Sequence, residues 1–372
     1  MNTTISFFPV GNGDMTLLML SSGRTILMDA KISADSGDRL DLSSELRDRL
    51  FEDESGRKFV DVLLLSHPDE DHCLGMAREF HLGMPESLSK DDDKIFVREI
   101  WSSPMVFRRA STQLTFCEDA KAFNTEARRR VKHYQAGKVF NDGNRILILG
   151  KDEEGKTDNL GEILVEAGTE IKKINGDDES TASFRLLSPT GKSEDDEEEK
   201  KKAKNLSSVI LQCVFHTASA EAACCFLTGG DAEVVIWEKM WELYGSTDWL
   251  KYDILQAPHH CSWRSLTHDS WSDLGEDARI SKDARSALSQ TYEGAIIISS
   301  SKPVKDDEDN PPCIRAKREY ETIGEFICLG DSSDEVLEFE VTSQGPRKKT
   351  RKIATGKLYG GAGIGVSPQP HG

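Results

Sequence analysis

The stretch that decides the fold runs from Asp61 to Met76, DVLLLSHPDEDHCLGM. Val62 to Leu65 form an unbroken apolar run, the pattern of a strand buried on both faces. The run ends abruptly in His67, Asp69, Asp71 and His72. Imidazole nitrogens and carboxylate oxygens together make the mixed ligand set of zinc or manganese. Alternate residues of an extended segment share a side, so His67, Asp69 and Asp71 converge if the turn stays extended. His72 then turns into a following helix. Four such groups within six residues crowd one ion, and two ions sharing the turn account for the density. The competing reading is a charged turn in which Asp71 merely caps the next helix. The C-terminal end of a buried strand is also where open α/β sheets place their sites.

Outward from this turn, the first part of the chain holds further strand-like runs, TTISFFPV, MTLLML and TILMDA, separated by the turns GNGD and SSGR. The pattern from about 73 to 136 reads as helical, clearest in KAFNTEARRRVKHYQAG, with Gly137 as its C-cap. NRILILG returns to strand. ASFRLLSP, SSVILQCVF, AACCFLTGGD, DILQAPHH and GAIIISSS give more strands, and two of these end in ligand-type residues, Asp231 and His259–His260. Strands in both halves with helices between them indicate an α/β protein. The segment from about 190 to 204, GKSEDDEEEKKKAKN at its heart, reads as a solvated acidic loop insertion. Residues 346–372 read as a basic, Gly-rich tail.

The 372 residues carry a formal net charge of -18, which argues against sequence-independent coating of DNA while leaving room for a local basic groove. Candidates for such a groove are Arg128–Lys132, Arg264 and Arg347–Lys352. No signal-peptide pattern opens the chain, and no apolar run approaches the roughly 18 residues of a membrane span. Eight cysteines without a CxxC pair point to reduced thiols and a cytoplasmic location, with no membrane insertion.

The turns HPDEDH, LTGGD and APHHCS, in this order, resemble the metallo-β-lactamase fold, closest to the catalytic domain of ComEC-type DNA-uptake proteins. VGNGD (Val10–Asp14), ILMDA (Ile26–Ala30) and NLSSVILQ extend the resemblance over roughly residues 5–345. It implies a four-layer αββα hydrolase domain over 1–345, carrying the helical and acidic insertions. It implies two divalent metal ions, zinc or manganese. His67 and Asp69 would hold the first. Asp71 and His72 would hold the second with one His of the HH pair, His259 for preference and His260 as neighbour or alternative. Asp231 would bridge the ions, and Asp14 and Asp29 would orient the ligand imidazoles. Asp69, Asp231 and His260 would carry catalysis by a metal-activated hydroxide, with His260 or Ser262 contacting the departing oxygen; Arg264 is a candidate substrate contact from its charge. The activity implied is that of a phosphodiesterase or nuclease. Its candidate partners are DNA or RNA and a partner protein such as an ATPase, in a bacterial defence or DNA-processing system. Two other readings stand beside it: a carbon-centred hydrolase of lactones, thioesters or lactams, and a metal-depleted interaction module.

The sequence departs from the family at four places. Asp69 stands where a His is usual, a harder ligand that favours manganese. A further ligand His is missing, since His81 and His133 sit at no strand end. Cys261 replaces the glycine of HHGS, and with Cys73 it adds a thiol next to a ligand turn. NPPC (Asn310–Cys313) stands for a segment that normally carries a His.

Overall fold

The computed structural model describes residues 1–34, 40–89, 92–107, 115–151, 155–190, 207–307, 310–332 and 335–352. In chain order the strands are β1 Thr4–Phe7, β2 Thr16–Met19, β3 Thr25–Met28, β4 Phe59–Leu65, β5 Phe96–Ser102, β6 Arg145–Leu149, β7 Leu164–Val165, β8 Glu170–Ile171, β9 Lys173–Ile174 and β10 Asp177–Asp178. They continue with β11 Ala182–Ser188, β12 Ile210–Thr217, β13 Ala220–Leu227, β14 Tyr252–Gln256, β15 Thr291–Ser299, β16 Glu325–Cys328, β17 Glu335–Thr342 and β18 Gly345–Lys352. The helices are α1 Leu42–Arg49, α2 Glu70–Cys73, α3 Met76–Glu79, α4 Glu118–Gln135, α5 Val234–Tyr244, α6 Trp271–Leu274, α7 Lys282–Leu288 and α8 Ile314–Glu321.

Two large sheets organise the chain. The first has the order β18-β17-β1-β2-β3-β4-β5-β6-β7, and the second β16-β15-β14-β13-β12-β11-β8. Each sheet is half antiparallel and half parallel: β3 to β7 run parallel in the first, β13 to β16 in the second. Parallel strands need cover on both faces, and β4 is buried along its whole length. Its Val62 and Leu64 enter a core shared with Phe184, Leu211 and Phe226 of the second sheet. Phe7 meets Phe226 edge-on at 5.5 Å, and Trp101 meets Phe184 at 5.4 Å, so the sheets interlock through aromatic contacts. Leu63 and Leu65 instead pack with Leu46 of α1 and with Phe123, Ala127 and Val131 of α4. The second sheet has a corresponding cluster in which Leu255 and Ile297 meet Trp237 of α5, Leu288 of α7 and Tyr320 of α8.

Two expectations about organisation change. The stretch 73–136 is no purely helical insertion, because it contains β5, paired between β4 and β6. Arg98 and Glu99 hide that strand in the sequence, and both are satisfied by distant chain: Arg98 by Asp61 at 2.9 Å, Glu99 by the N–H of Asn175 at 2.6 Å. The basic tail starts later than residue 346, because β18 pairs residue for residue with β17. Arg347 and Lys349 of β18 flank Glu340 of the acidic strand β17, which makes the basic run an edge strand. Helix α4 and Gly137 (φ +65°) lie where expected. The acidic insertion, apart from Thr190, and the tail beyond 352 lie outside the described residues.

Candidate metal centre

The ligand-type groups stand on turns that leave parallel strands at their C-terminal ends. Asp29 follows β3, His67 follows β4, Asp231 follows β13, and His259–His260 follow β14. Asp14 sits on the β1–β2 turn, against the same place. Three backbone links hold the turns together. Asp14 N–H donates to Asp71 O at 3.2 Å, Ala30 N–H to His72 O at 2.9 Å, and His259 N–H to Gly230 O at 2.8 Å. Gly13 is required for the first: a Cβ there would stand 2.4 Å from Asp71 O. Gly229 is required for the third region, where a Cβ would lie 2.7 Å from the Pro258 Cα.

Asp231 is the hub. Its carboxylate is buried, and its two oxygens face two different groups of side chains. Oδ2 lies 3.4 Å from His67 Nε2 and 3.7 Å from His259 Nε2. Asp69 Oδ2 is 3.8 Å from the same His67 nitrogen. Oδ1 lies 3.0 Å from His72 Nε2 and 3.4 Å from His260 Nε2. Asp71 Oδ2 is 3.3 Å from that His260 nitrogen. One potential ligand atom each from Asp14, His72, Asp231 and His260 lie within 4.8 Å of one another, all four residues buried. Such a buried cluster can hold a divalent metal ion.

The donor chemistry fits a cation. His67 Nε2 and His260 Nε2 are both buried without a hydrogen-bond partner, and both face Asp231. A buried polar nitrogen left unpaired costs about 1–3 kcal/mol, and a ligated ion removes that cost. The opposite ring nitrogens are held. His72 Nδ1 lies 2.7 Å from Asp29 Oδ2, and Asp29 also accepts the Ser66 N–H at 2.7 Å and the Ser66 hydroxyl at 2.6 Å. His67 Nδ1 is flanked by the hydroxyls of Ser66 at 3.1 Å and Ser208 at 3.2 Å. A carboxylate behind an imidazole fixes its tautomer and raises its basicity. His260 Nδ1 accepts the Gly13 N–H at 3.2 Å, which puts the proton of a neutral ring on Nε2. Ligation through Nε2 would need the other tautomer, with the proton on Nδ1 toward Asp14 Oδ1 at 3.7 Å, and would give up the bond from the Gly13 N–H.

The electrostatics follow from burial and proximity. Burial pushes the Asp231 carboxyl up, but His72, His260 and His67 more than reverse this and hold it well below the usual range. Asp71 is also lowered, burial being outweighed by His260 and His72. Burial opposes charge on His72 and His260, yet Asp231 and its neighbours raise both. His259 goes the other way, lowered by burial.

The geometry exchanges the two histidines of the HH pair relative to expectation. His260 stands with Asp71 and His72, enclosed at 1% side-chain exposure, whereas His259 stands with His67, at 17%. His260 is therefore not placed as an open contact for a departing oxygen. His259 Nε2 faces the same Asp231 oxygen as His67 Nε2. His81 and His133 are elsewhere, bonded to Met84 O and Val139 O. The exchange comes from the backbone: His259, His260 and Cys261 all take left-handed φ values of +50°, +53° and +67°. Such values are uncommon outside glycine, which explains why a glycine fits where this chain has Cys261.

Other expected residues fall outside the cluster. Ser262 is buried; its hydroxyl donates to Asn310 Oδ1 at 3.0 Å and accepts the Arg264 N–H, so it holds the turn and does not face a substrate. Arg264 is exposed. Cys73 Sγ packs 3.6 Å from Cys117 Sγ, and Cys261 Sγ points to Cys313 O. Asp69 occupies the N-cap position of α2 in place of Asp71, yet its side chain makes no capping bond. Of the basic run on α4, Arg130 is buried against the carbonyls of Val97 and Arg145, and Arg129 is tied to Glu126 and Asn144. Ser66 and Ser208 escaped the sequence reading; Ser208 also accepts the Asp231 N–H at 2.9 Å. Ser66 is signalled only by its place before His67 at the end of β4, and Ser208 only by lying in NLSSVILQ, just before β12.

No model of a known protein family matches the chain, and no curated protein sequence matches it. Among solved structures, that of unliganded yeast PDE1 is similar at 11% identity and a TM-score of 0.41, covering 88% of this chain and 97% of that one. A likeness this low bears no weight in reading the site.

Proposed function

We propose that the chain is a metal-dependent phosphodiesterase with a dinuclear centre, built on a metallo-β-lactamase fold of four αββα layers. The observation that carries the reading is the division of Asp231: Oδ2 faces His67 and His259, Oδ1 faces His72 and His260. One carboxylate is thereby shared between two ligand sets, each completed by an Asp of the HPDEDH turn. His67, Asp69 and His259 would hold one ion, Asp71, His72 and His260 the other. When bound, two divalent ions supply Lewis acidity to phosphoryl oxygens and lower the pKa of a water. The chain's own part is to hold the imidazoles through Asp29, Asp14 and Ser208, and to keep His67, His72, His260 and Asp231 buried.

Cationic groups near the cluster favour a phosphodiester over a lactone or thioester. Lys31 is within electrostatic reach of Asp71 and Lys302, and Asn12 links the two lysines by accepting from Lys31 Nζ and the Lys302 N–H. Asp69 in place of His makes the first position harder and favours manganese over zinc there.

The test is a substrate panel on protein reconstituted with manganese or zinc: bis(p-nitrophenyl) phosphate, single- and double-stranded DNA, RNA, a lactone and a thioester. The reading expects metal-dependent phosphodiester cleavage, lowered at least about 100-fold in His72→Ala. Turnover of the lactone or thioester with none of the phosphodiesters overturns it in favour of carbon-centred hydrolysis.

A further inference from the structure

Beside the cluster opens a cavity of about 640 Å³, within the range of about 300–1,000 Å³ typical of small-molecule sites. Its walls are the two segments that leave the cluster. Glu233 follows Asp231 by two residues, and Trp263 and Arg264 follow His260 by three and four. Trp271, Asn310 and Arg315 also line it. The wall is continuous with the cluster: the charge of Glu233 acts on His259, and Asn310 Oδ1 accepts both the Ser262 hydroxyl and the Trp263 N–H, at 3.0 and 2.9 Å.

Two features of this cavity suit a ligand. The first is an aromatic wall, in which Trp263 belongs to the core cluster and Trp271 packs against it. Trp263 and Trp271 meet edge-to-face at 6.3 Å, and the Arg315 guanidinium lies over the Trp271 ring, 3.2 Å from its centroid. A guanidinium layered on an indole presents a further planar surface, and flat heterocycles stack on such surfaces. The second is charge. Neither Arg264 nor Arg315 has a carboxylate at ion-pair distance among the described residues, although acidic side chains outnumber basic ones by 65 to 47 in the chain. At the rim, Asp269 is engaged by the Arg279 N–H at 2.7 Å. The lining also carries the Glu233 and Asp269 carboxylates, so the cavity as a whole is not cationic; Arg264 and Arg315, ion-paired with neither among the described residues, are its anion-binding groups, and the Arg315–Trp271 layer offers a flat surface.

We propose that this cavity is a nucleotide subsite: a nucleobase stacks on the Arg315–Trp271 layer, and Arg264 neutralises a nucleotide phosphate. It rests on the phosphodiesterase reading for why the ligand is a substrate, but its binding is independent of turnover.

The test is equilibrium binding of adenosine 5′-monophosphate to the full chain after treatment with EDTA, followed by tryptophan fluorescence and calorimetry, with ribose 5-phosphate and adenosine as comparators. Stacking on one base is sequence-tolerant and accounts for about a tenfold change in affinity. Ribose 5-phosphate is therefore expected to bind about tenfold more weakly than the nucleotide. Trp271→Ala should lose a similar factor, and Trp271→Phe should keep most of the affinity. Arg264 is exposed, so Arg264→Ala keeps the fold; it should weaken the nucleotide and leave adenosine unchanged. Equal binding of ribose 5-phosphate and the nucleotide, or nucleotide affinity indifferent to Arg264→Ala and Trp271→Ala, overturns the proposal. Nucleotide binding with no phosphodiester turnover sinks the activity and not the subsite; turnover without nucleotide binding does the reverse.

Discussion

His259→Ala and His260→Ala should behave differently, although the two residues are adjacent. His260 is enclosed, and its Nδ1 is the acceptor for the buried Gly13 N–H. Truncation strands that donor, at a cost of about 1–3 kcal/mol. His259 Nδ1 has no partner to lose, and its ring is partly exposed, so truncation should stay within about 1 kcal/mol of the parent. Metal affinity divides along the same line. His259 faces Asp231 Oδ2 beside His67. Its loss removes one group from that position and none from the set of Asp71, His72 and His260. Losing a residue that only orients a ligand costs about 10–100-fold, so losing a ligand should cost at least about 100-fold. Calorimetric titration of EDTA-treated protein with manganese or zinc reads this directly. The parent should show two binding steps. His259→Ala should weaken one at least about 100-fold and leave the other nearly unchanged. Equal weakening of both steps, or no weakening, would refute the division of the site around Asp231.

Two further outcomes follow from side chains around the centre and away from it. Asp29→Asn keeps the size of the group behind His72 Nδ1 but removes its charge, and should lower metal affinity about 10–100-fold while the fold persists, read by the same titration. Glu99 tests burial far from the metal ligands: burial raises its pKa to about 7, against the pull of Asn175 and the arginines nearby. A carboxyl raised on folding stabilises the protein below its unfolded pKa and loses that contribution as pH rises through the folded one. Relative to Glu99→Gln, the parent should therefore lose about 2 kcal/mol between pH 5.5 and pH 8.5, measured by urea unfolding. Parallel pH profiles for the two proteins would contradict the burial argument.

The strands were legible where apolar residues run unbroken, as at Val62–Leu65 of β4, Ala222–Leu227 of β13 and Ala295–Ile298 of β15, because parallel strands are covered on both faces. β5 was not, because Arg98 and Glu99 interrupt the run and their partners, Asp61 and Asn175, lie far along the chain. β18 read as a loose basic tail because its complement, Glu340, is on another strand. At the centre, the residue types and their order were readable, but the direction of each ring was not. Whether His259 or His260 turns toward Asp71 depends on three consecutive left-handed backbone angles, which no residue-type pattern announces. Ser208 stayed hidden for a related reason: a serine at a strand start gains meaning only when Asp231 and His67 are folded against it.

The central claim is that two metal ions flank Asp231, and anomalous scattering from crystals grown with manganese or zinc tests it most directly. The account predicts two peaks, one among His67, Asp69 and His259, the other among Asp71, His72 and His260, with an Asp231 oxygen at each. A single peak, or two peaks that leave Asp231 on one ion alone, would contradict it.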